Sequence, residues 1–408
     1  MARISRRYLN DSSRGGTTIA YTELGREAKR QPVIDLTIGQ PDLKPPSALV
    51  ELLAIEARGA GASRYAPPQG LGEYREAVAE LLSEAYGVDA EPDRVVALAG
   101  AKPGIGGSIY AACDPGDTVL VLTPHFYTYV IAPRMLGVRV ELIPLSWSGG
   151  VLTLDEELLK KVFSEKRPCL VIVNTPHNPT GLLLEDSVVK LLGDLARDYN
   201  SVILSDEVYA WLVYRGTHTP LVKRLGDDIV VHLESFSKTL AVPGWRVGFA
   251  YAPPEMAKAI SFFNANTYTC IPRFVQLAIA KYITSYRDDM VEYVEEARRI
   301  YSRRAEAMTT ALEHLQGLVE GYLPAAGFFL FPRVAGLLEK LGLRDSSSLA
   351  ELLAREAGVL VVPGTVFGDW REYIRVSLTH PEARLREAVT RIAELAWGSE
   401  ELRGGTEG

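Results

Sequence analysis

Hydrophobic residues in the first two thirds of the chain occur in short runs that alternate with longer, helix-patterned segments such as Glu73–Ala85 and Asp186–Asp198. The runs are rich in β-branched residues and rarely alternate with polar ones, which is typical of strands buried on both faces. Strand and helix in alternation predict an α/β fold with a mostly parallel, mixed sheet of about seven strands and helices on both faces. The predicted strands are Val95–Ala99, Thr118–Leu122, Val138–Ile143, Cys169–Val173, Val202–Leu204, Ile229–Leu233 and Val247–Tyr251.

The pattern changes near residue 286. A long, highly charged segment, Arg287–Leu315, predicts one helix, and Pro381–Trp397 predicts a closing helix. Between them, three short apolar runs predict strands: Gly327–Phe331, Val359–Val362 and Tyr373–Leu378.

This change divides the chain into three predicted parts. Residues 1–47 are loop-rich and are expected to form an N-terminal arm that packs with the smaller domain. Residues 48–285 form the predicted large domain. Residues 286–408 form the predicted smaller α+β domain.

Composition narrows the classes of function. The 408 residues include 44 Lys and Arg against 51 Asp and Glu, a formal net charge of −7, which argues against a nucleic-acid or anionic-membrane partner. No apolar run approaches the about 20 residues of a membrane helix, and the basic N-terminus lacks the apolar stretch of a signal peptide. Cys113, Cys169 and Cys270 lie far apart and form no evident disulfide framework, so a reducing cytoplasm is expected.

Polar residues follow several of the predicted strands, at the ends where ligands bind in parallel α/β sheets. A glycine-containing turn, 100–104, follows the first strand and resembles an anion-binding loop. Later strand ends present Asn178, then Asp206 with Tyr209, then Lys238 among hydroxyl groups. This set suits an aromatic, electrophilic cofactor that carries a phosphate better than it suits a metal or a dinucleotide. The six histidines show no metal-binding spacing, and no metal is expected.

Several of these segments match one known family in order and spacing. SFSKTLAVPGWRVG at 235–248 resembles the lysine segment of the class I/II aminotransferases, pyridoxal-phosphate enzymes of fold type I. The resemblance covers nearly the whole chain and extends to NTPHNPTG at 174–181, SDEVY at 205–209, TIGQPDLKPP at 37–46, YAPPQGLGEYREAVA at 65–79 and YIRVSL at 373–378.

The resemblance implies pyridoxal 5'-phosphate as cofactor and gives roles around its ring. Lys238 corresponds to the Schiff-base lysine, whose attack on an aldehyde needs a neutral amine with a lowered pKa. Asp206 is expected to face the pyridinium nitrogen and keep it protonated. Tyr209 and Asn178 resemble the groups that hydrogen-bond the phenolic oxygen, and Phe126 stands where the family stacks an aromatic ring.

The resemblance also implies a phosphate cup and a shared active site. Tyr65 resembles the tyrosine that reaches the phosphate from the neighbouring subunit, which requires a homodimer. Ala101 and Pro103 depart from the usual loop, so their side chains carry no expected role. The cup is expected from the backbone N–H groups of Ala101 and Lys102 and from Ser235, Ser237 and Arg246.

For the substrate, Arg375 is expected to clamp the α-carboxylate, because a guanidinium matches both carboxylate oxygens and stays charged. Gly39 resembles the glycine whose backbone approaches the same carboxylate, and Asn178 is expected nearby. Lys102 is either a solvent-facing loop residue or, as in some bacterial-type aspartate aminotransferases, the reader of a distal carboxylate.

Together the resemblance implies an aminotransferase that moves an amino group from an L-amino acid to a 2-oxo acid, 2-oxoglutarate by family habit, in a ping-pong reaction. A lyase acting by β-elimination or decarboxylation, on the same fold, stays an alternative. A non-enzymatic cofactor-binding regulator is more remote, and a nicotinamide oxidoreductase would leave Lys238, Asp206 and Arg246 without roles. Aspartate, alanine, aromatic and branched-chain donors all stay open.

Overall fold

The computed structural model describes residues 26, 28–148, 150–315 and 317–398. The predictions made for residues 1–25, 27 and 399–408, including most of the N-terminal arm, lie outside the described residues. The described strands are β1 Ile34–Asp35, β2 Val95–Leu98, β3 Thr118–Thr123, β4 Arg139–Ser148, β5 Val151–Leu154, β6 Leu170–Asn174, β7 Leu183–Leu184, β8 Val202–Asp206, β9 Val230–Ser235, β10 Gly248–Tyr251, β11 Phe329–Leu330, β12 Val359–Leu360, β13 Val362–Pro363 and β14 Ile374–Ser377.

Helices connect most of these strands. The described α-helices are α1 Ser47–Ala57, α2 Gly72–Tyr86, α3 Ala101–Ala112, α4 Thr128–Met135, α5 Glu156–Lys166, α6 Asp186–Asp198, α7 Leu221–Leu225, α8 Phe236–Thr239, α9 Pro254–Thr267, α10 Arg273–Ser285, α11 Arg287–Leu312, α12 Ala335–Lys340, α13 Ser346–Leu352 and α14 Glu382–Trp397. Short 3₁₀ turns occupy Pro92–Arg94, Ala210–Leu212, Pro243–Trp245, Glu313–Leu315 and Gly364–Phe367, and a π-helical turn occupies Leu353–Ala357.

A nine-stranded sheet forms the larger part of the molecule, with strand order β2-β10-β9-β8-β6-β3-β4-β5-β7. Strands β9, β8, β6, β3 and β4 run parallel to one another, whereas β10 is antiparallel to both of its neighbours and β5 is antiparallel to β4. This confirms the predicted α/β class and mixed sheet. All seven predicted strands are present, and β5 and β7 extend the sheet beyond β4.

Both faces of this sheet are covered, which explains why its central strands are continuously apolar. Helices α3 and α9 pack on one face through side chains such as Ile105 and Ile260. Helices α2, α5, α6 and α10 pack on the other face through side chains such as Tyr74, Phe163 and Leu192. Because the core is closed on both sides, polar groups are exposed to a ligand mainly at the strand ends.

A smaller sheet forms the second architectural unit, with the antiparallel order β11-β14-β13. Its core is shared with α11 and α14 through residues such as Tyr301 and Val389. The predicted long helix is present as α11, which ends at Leu312 and continues as a 3₁₀ turn. Strand β1 pairs in parallel with β12, so residues near 34 join this part of the chain. The domain limits at 47 and 285 stay a prediction.

The cysteines do not behave as the sequence analysis expected. Cys113 and Cys169, which are 56 residues apart in sequence, form a disulfide with a Cα–Cα distance of 5.5 Å. Cys113 lies at the end of α3, and Cys169 precedes β6, where its backbone N–H bonds Thr118 on β3. The sheet therefore brings together two residues whose spacing in sequence gave no sign of pairing, and only Cys270 is a free thiol among the described residues.

Within the described ranges, no helix has the length and apolar character needed to cross a membrane.

Candidate active site

One cavity lies at the carboxyl ends of five strands, β2, β3, β6, β8 and β9. In register, Asn174 at the end of β6 lies beside Asp206 at the end of β8, and Asp206 lies beside Leu233 near the end of β9. The cavity encloses about 510 Å³ between these strand ends and the smaller sheet. Twelve of the thirteen predicted site residues line it: Gly39, Ala101, Lys102, Phe126, Asn178, Asp206, Tyr209, Ser235, Ser237, Lys238, Arg246 and Arg375.

Lys238 projects into this cavity from the short helix α8, which begins directly after β9. Its Nζ donates a hydrogen bond to the carbonyl oxygen of Gly39. Burial, and next the positive charge of Arg375, lowers the pKa of Lys238 from 10.5 to about 8. At pH 7 roughly a tenth of this amine is therefore neutral, far more than for an ordinary lysine, and the neutral amine is the state required of a nucleophile toward an aldehyde.

Asp206 is a buried carboxylate, only 4 % exposed. Its Oδ2 accepts a 2.7 Å hydrogen bond from the hydroxyl of Tyr129, and burial raises the pKa of Asp206 from 3.8 to about 6. Because a buried carboxylate without a cation is unfavourable, this residue is suited to pair with a positive group that enters the cavity.

Asn178 and Tyr209 line the cavity near Asp206. The backbone N–H of Asn178 donates to Oδ1 of Asn174 at 2.8 Å, and Nδ2 of Asn174 donates to the carbonyl oxygen of Asp206 at 2.8 Å. Burial raises the pKa of Tyr209 above its ordinary value of 10.0, so its phenol stays protonated and can donate a hydrogen bond. Asn174 thus holds two predicted cofactor ligands in place.

The predicted phosphate cup is assembled at the start of α3. The first N–H groups of this helix lack intrahelical partners, and the helix dipole favours an anion there. Gly100 precedes the helix with φ +80°, and a Cβ at this position would lie 2.5 Å from Nη2 of Arg246. A side chain in place of Gly100 would therefore fill the space in which the guanidinium lies.

Two serines complete this cup. The hydroxyl of Ser235 donates to that of Ser237 at 2.8 Å, and Arg246 is fixed by hydrogen bonds from Nη2 to Ala99 and from Nη1 to Pro243. Helix N-terminus, hydroxyls and guanidinium converge on one side of the cavity, as expected for a phosphate-binding site.

Arg375 lines the cavity from β14 of the smaller sheet and is only 8 % exposed. Its Nη2 donates to the carbonyl oxygen of Thr37 at 2.9 Å and its Nη1 to Oδ1 of Asn178 at 3.2 Å. Within the described residues, its buried Nε has no hydrogen-bond partner. Burial lowers the pKa of Arg375 to about 10, still well above neutral pH. A buried, charged guanidinium with a donor to spare is a site for an anion.

Lys102 and Phe126 lie together at the mouth of the cavity. Lys102 Nζ donates to the hydroxyl of Tyr127 at 2.9 Å and lies 5.2 Å from the ring centre of Phe126. Its side chain is exposed, so its charge is available to an approaching ligand.

Tyr65 is the predicted site residue that this cavity does not include. Its side chain is 85 % exposed on the surface of the chain. Such exposure of a large aromatic ring is compatible with a role in a neighbouring subunit, which stays a prediction.

The charges and donors of the cavity fit pyridoxal 5'-phosphate. Four cationic side chains, Lys102, Lys238, Arg246 and Arg375, line it together with one carboxylate, Asp206. A bound phosphate and a substrate carboxylate would balance this excess of positive charge, and the single carboxylate is suited to pair with a cationic ring nitrogen. Two further observations support the same conclusion: the space left open by Gly100, and the Nε of Arg375, which has no hydrogen-bond partner in the part of the chain that the structure describes.

Several lining residues were not predicted. Tyr129 bonds Asp206, Asn174 bonds Asn178, and Tyr127 bonds Lys102. Phe329 and Phe367 lie against Arg375, with ring centres 4.2 and 5.2 Å from its guanidinium carbon. The sequence could have indicated Tyr129, because it lies three residues after the predicted site residue Phe126. The two phenylalanines come from the smaller sheet and the turn after it, and no motif in the sequence indicated that they line the cavity.

The described residues contain no cluster of three or more His, Cys, Asp or Glu side chains suited to hold a metal ion.

Comparison with known proteins agrees with this geometry. The family model for aminotransferase class I and II matches residues 31–392. The chain is 33% identical over 375 residues to an aspartate aminotransferase of Pyrococcus horikoshii, covering 91% of this chain and 93% of the relative. It is also 33% identical over 367 residues to aromatic-amino-acid aminotransferase 2 of Thermococcus litoralis, covering 89% and 91% of the two chains.

Among solved structures, the aspartate aminotransferase of Thermus thermophilus with maleate superposes with a TM-score of 0.88 at 30% identity, over 97% of this chain and all of that one. The expected family, enzyme class and cofactor are thereby confirmed. The chain belongs to the class I and II aminotransferases and is a pyridoxal 5'-phosphate-dependent aminotransferase.

Proposed function

We propose that this aminotransferase moves the amino group of an L-amino acid to 2-oxoglutarate in a ping-pong reaction. The observation that supports this most directly is Arg375, a buried guanidinium whose Nε has no hydrogen-bond partner among the described residues. An α-carboxylate is common to amino acids and 2-oxo acids, so one arginine at this position serves both half-reactions. A lyase would need no second acceptor, and neither the family nor the site favours it.

When bound, pyridoxal 5'-phosphate supplies an aldehyde and an electron-accepting ring. The chain's own residues then hold and move protons around it. The carboxylate of Asp206 stabilises positive charge at the ring nitrogen, and the hydroxyl of Tyr209 donates toward the phenolic oxygen. The amine of Lys238 would remove the proton from the substrate α-carbon and, as its conjugate acid, would deliver that proton to the cofactor carbon C4′.

Water is excluded by the apolar side of the cavity. Val362, Val366 and Phe367, contributed by the smaller sheet and the turn after it, face the site. The backbone N–H of His125, two residues after β3, donates to the carbonyl oxygen of Phe367 at 3.0 Å, and the Thr123 hydroxyl donates to the same oxygen at 3.1 Å. These bonds hold the turn that carries Phe367 against the end of β3. Because the apolar turn keeps water out, electrostatic interactions within the site are stronger.

We further propose dicarboxylic donors, L-aspartate above all. Lys102 offers an exposed cation at the cavity mouth, and Tyr127 holds its Nζ in place. The Thermus relative was solved with maleate, a dicarboxylate, and the Pyrococcus relative is an aspartate aminotransferase. A distal carboxylate at Lys102 and an α-carboxylate at Arg375 would occupy both ends of the cavity.

The proposed assembly is a homodimer in which Tyr65 of one subunit completes the phosphate cup of the other. The exposed ring of Tyr65 supports this arrangement. A mixture of Tyr65→Ala and Lys238→Ala chains, refolded together, should regain activity, since a hybrid dimer contains one site with both intact residues. A mixture no more active than its two components would contradict the shared site.

A donor assay tests the reaction. We expect steady transfer from aspartate only when 2-oxoglutarate is present, and release of one oxo acid per bound cofactor when the acceptor is omitted. Chromatographic quantification of 2-oxo acids measures both. Continuous formation of pyruvate and ammonia from cysteine conjugates or serine without an acceptor would instead indicate a lyase.

Arg375→Lys provides the matched control for this assay. Lysine keeps the charge but lacks the two-pronged donor geometry, so kcat/KM should fall for every donor alike, by about 10²-fold if charged hydrogen bonds contribute up to about 3 kcal/mol. A loss confined to dicarboxylic donors would mean that Arg375 binds the distal group.

A further inference from the structure

A buried ionic network lies on the sheet face opposite Asp206. Side chains alternate along a strand, so Ser205 and Glu207 point away from Asp206, and His232 and Glu234 point to that same face from β9. Glu207 and His232 are fully buried, and Glu234 is 3 % exposed.

Hydrogen bonds connect the members of this network. His232 lies between two carboxylates, with Nδ1 3.2 Å from Oε1 of Glu207 and Nε2 2.9 Å from Oε1 of Glu234. Such a position makes both ring nitrogens donors and requires the imidazolium form. Burial opposes that charge, but the two carboxylates outweigh burial and raise the pKa of His232 from 6.5 to about 10.

Other polar groups hold the two carboxylates from the outside. Glu207 accepts from the hydroxyl of Ser205 at 2.6 Å and from the N–H of Leu221 at 2.9 Å, and it lies 2.6 Å from Nε2 of His218. Glu234 accepts from Nε1 of Trp211 at 2.8 Å. These contacts fix the positions of the two carboxylates. They therefore also restrict the backbone of the residues that adjoin Glu207 and Glu234 in sequence.

The neighbours of these carboxylates are the active-site residues. Glu207 directly follows Asp206, and Glu234 directly precedes Ser235 of the phosphate cup, four residues before Lys238. Trp211 lies in the turn after Tyr209, and its carbonyl oxygen accepts from Nε of Arg298 on α11 at 2.8 Å. The network therefore joins the chain segments that carry the ring-binding, phosphate-binding and proton-transfer groups.

We propose that Glu207, His232 and Glu234 are positioning residues, which hold the ends of β8 and β9 in the relative placement that Asp206 and Lys238 need to act on the same cofactor. This inference rests on the proposed function and extends it to residues outside the cavity. A small misplacement of catalytic groups is enough to slow a reaction severely, and a central ion pair between two strand ends limits such movement.

The test uses His232→Gln in the full chain loaded with pyridoxal 5'-phosphate. Glutamine keeps hydrogen-bonding capacity but leaves two buried carboxylates without the cation between them. We expect kcat to fall at least about tenfold and KM for the amino donor to change by less than about threefold. The visible circular dichroism of the bound cofactor reports the orientation of the cofactor, and we expect this signal to weaken. Substrate affinity is spared because Arg375 lies on β14.

Val230→Ala is the matched control, since it removes buried volume from the same face of the same strand, β9, without removing any charge or hydrogen bond of the network. It should lower the thermal midpoint while leaving kcat and the circular dichroism unchanged. If His232→Gln folds and matches Val230→Ala in both properties, the positioning role is wrong.

Glu234→Gln covers the case in which His232→Gln does not fold. It keeps an acceptor for Trp211 but removes one charge of the network, and the same fall in kcat and weakened dichroism are expected. Unchanged values in this folded variant would overturn the inference. Failure of the proposed function is separate: it would appear as wild-type protein that borohydride does not label at Lys238, or that transfers no amino group to an acceptor.

Discussion

Lys238→Ala is expected to reduce kcat by about 10⁴-fold or more while the protein still binds pyridoxal 5'-phosphate. The substitution removes the proposed point of covalent attachment and the proposed proton-transfer group, and positioned acid–base catalysis alone contributes up to about 10⁴-fold. Binding persists because the phosphate cup, with Arg246 and the start of α3, is untouched. Steady-state kinetics and the visible absorbance of the cofactor-loaded protein measure the two effects.

Lys238→Arg separates charge from nucleophilicity. Arginine keeps the positive charge but stays protonated, so it neither bonds the aldehyde nor accepts a proton, and it should be as inactive as the alanine variant. Lys160→Ala, which alters an exposed lysine on α5, should behave as wild type. Turnover by Lys238→Ala, or a borohydride-stable label on another lysine, would assign the chemistry elsewhere.

The pKa of Lys238 gives a pH dependence with a definite sign. In the cofactor-free protein the amine has a pKa of about 8, so its neutral fraction rises with pH and levels off above that value. The rate of covalent attachment of the cofactor should rise in the same way, well below the pH at which an ordinary lysine becomes neutral. Since Arg375 is the strongest charged cause of this low pKa, its removal should shift the midpoint upward.

The fold was largely predictable because burial leaves a direct signal in the sequence. The seven predicted strands are continuous apolar runs, a consequence of helices covering both faces of the sheet. Strand β5 has only four residues with mixed exposure, and β7 has two, so neither produces a run long enough to recognise. The Cys113–Cys169 disulfide depends on the pairing of β3 with the segment before β6, which is a tertiary contact without a local pattern.

The site was predictable where its residues follow buried strands and match known motifs. Lys238 and Asp206 satisfy both conditions, and the cavity brings them together as expected. Phe367 could not be placed, because its position depends on how the smaller sheet packs against the end of β3. His232 belongs to no motif in the sequence, since only the pairing of β8 with β9 shows that it lies between two carboxylates. Individual site roles stay predictions until the variants are measured.

Asp206→Asn is expected to reduce kcat by about 10³-fold, the second largest effect. Asparagine matches the size of aspartate but cannot balance a positive ring nitrogen, and breaking a buried charge pair typically costs about 3–5 kcal/mol. The carboxylate is available for this pairing because its pKa, raised by burial to about 6, still leaves it mostly ionised at neutral pH. Kinetics with aspartate and 2-oxoglutarate, together with cofactor affinity by equilibrium dialysis, measure the loss.

The same pKa sets the direction of the pH effect on cofactor binding. Below about pH 6 the free protein holds Asp206 in its protonated form, so pairing with the ring requires loss of that proton and affinity should weaken as pH falls. In Asp206→Asn this pH dependence should disappear. Tyr129→Phe removes the 2.7 Å hydrogen bond to Oδ2 but keeps the charge, so it should cost only about tenfold. If the asparagine variant kept wild-type kcat, the ring nitrogen would not need a negative partner, and the role assigned to this carboxylate would be wrong.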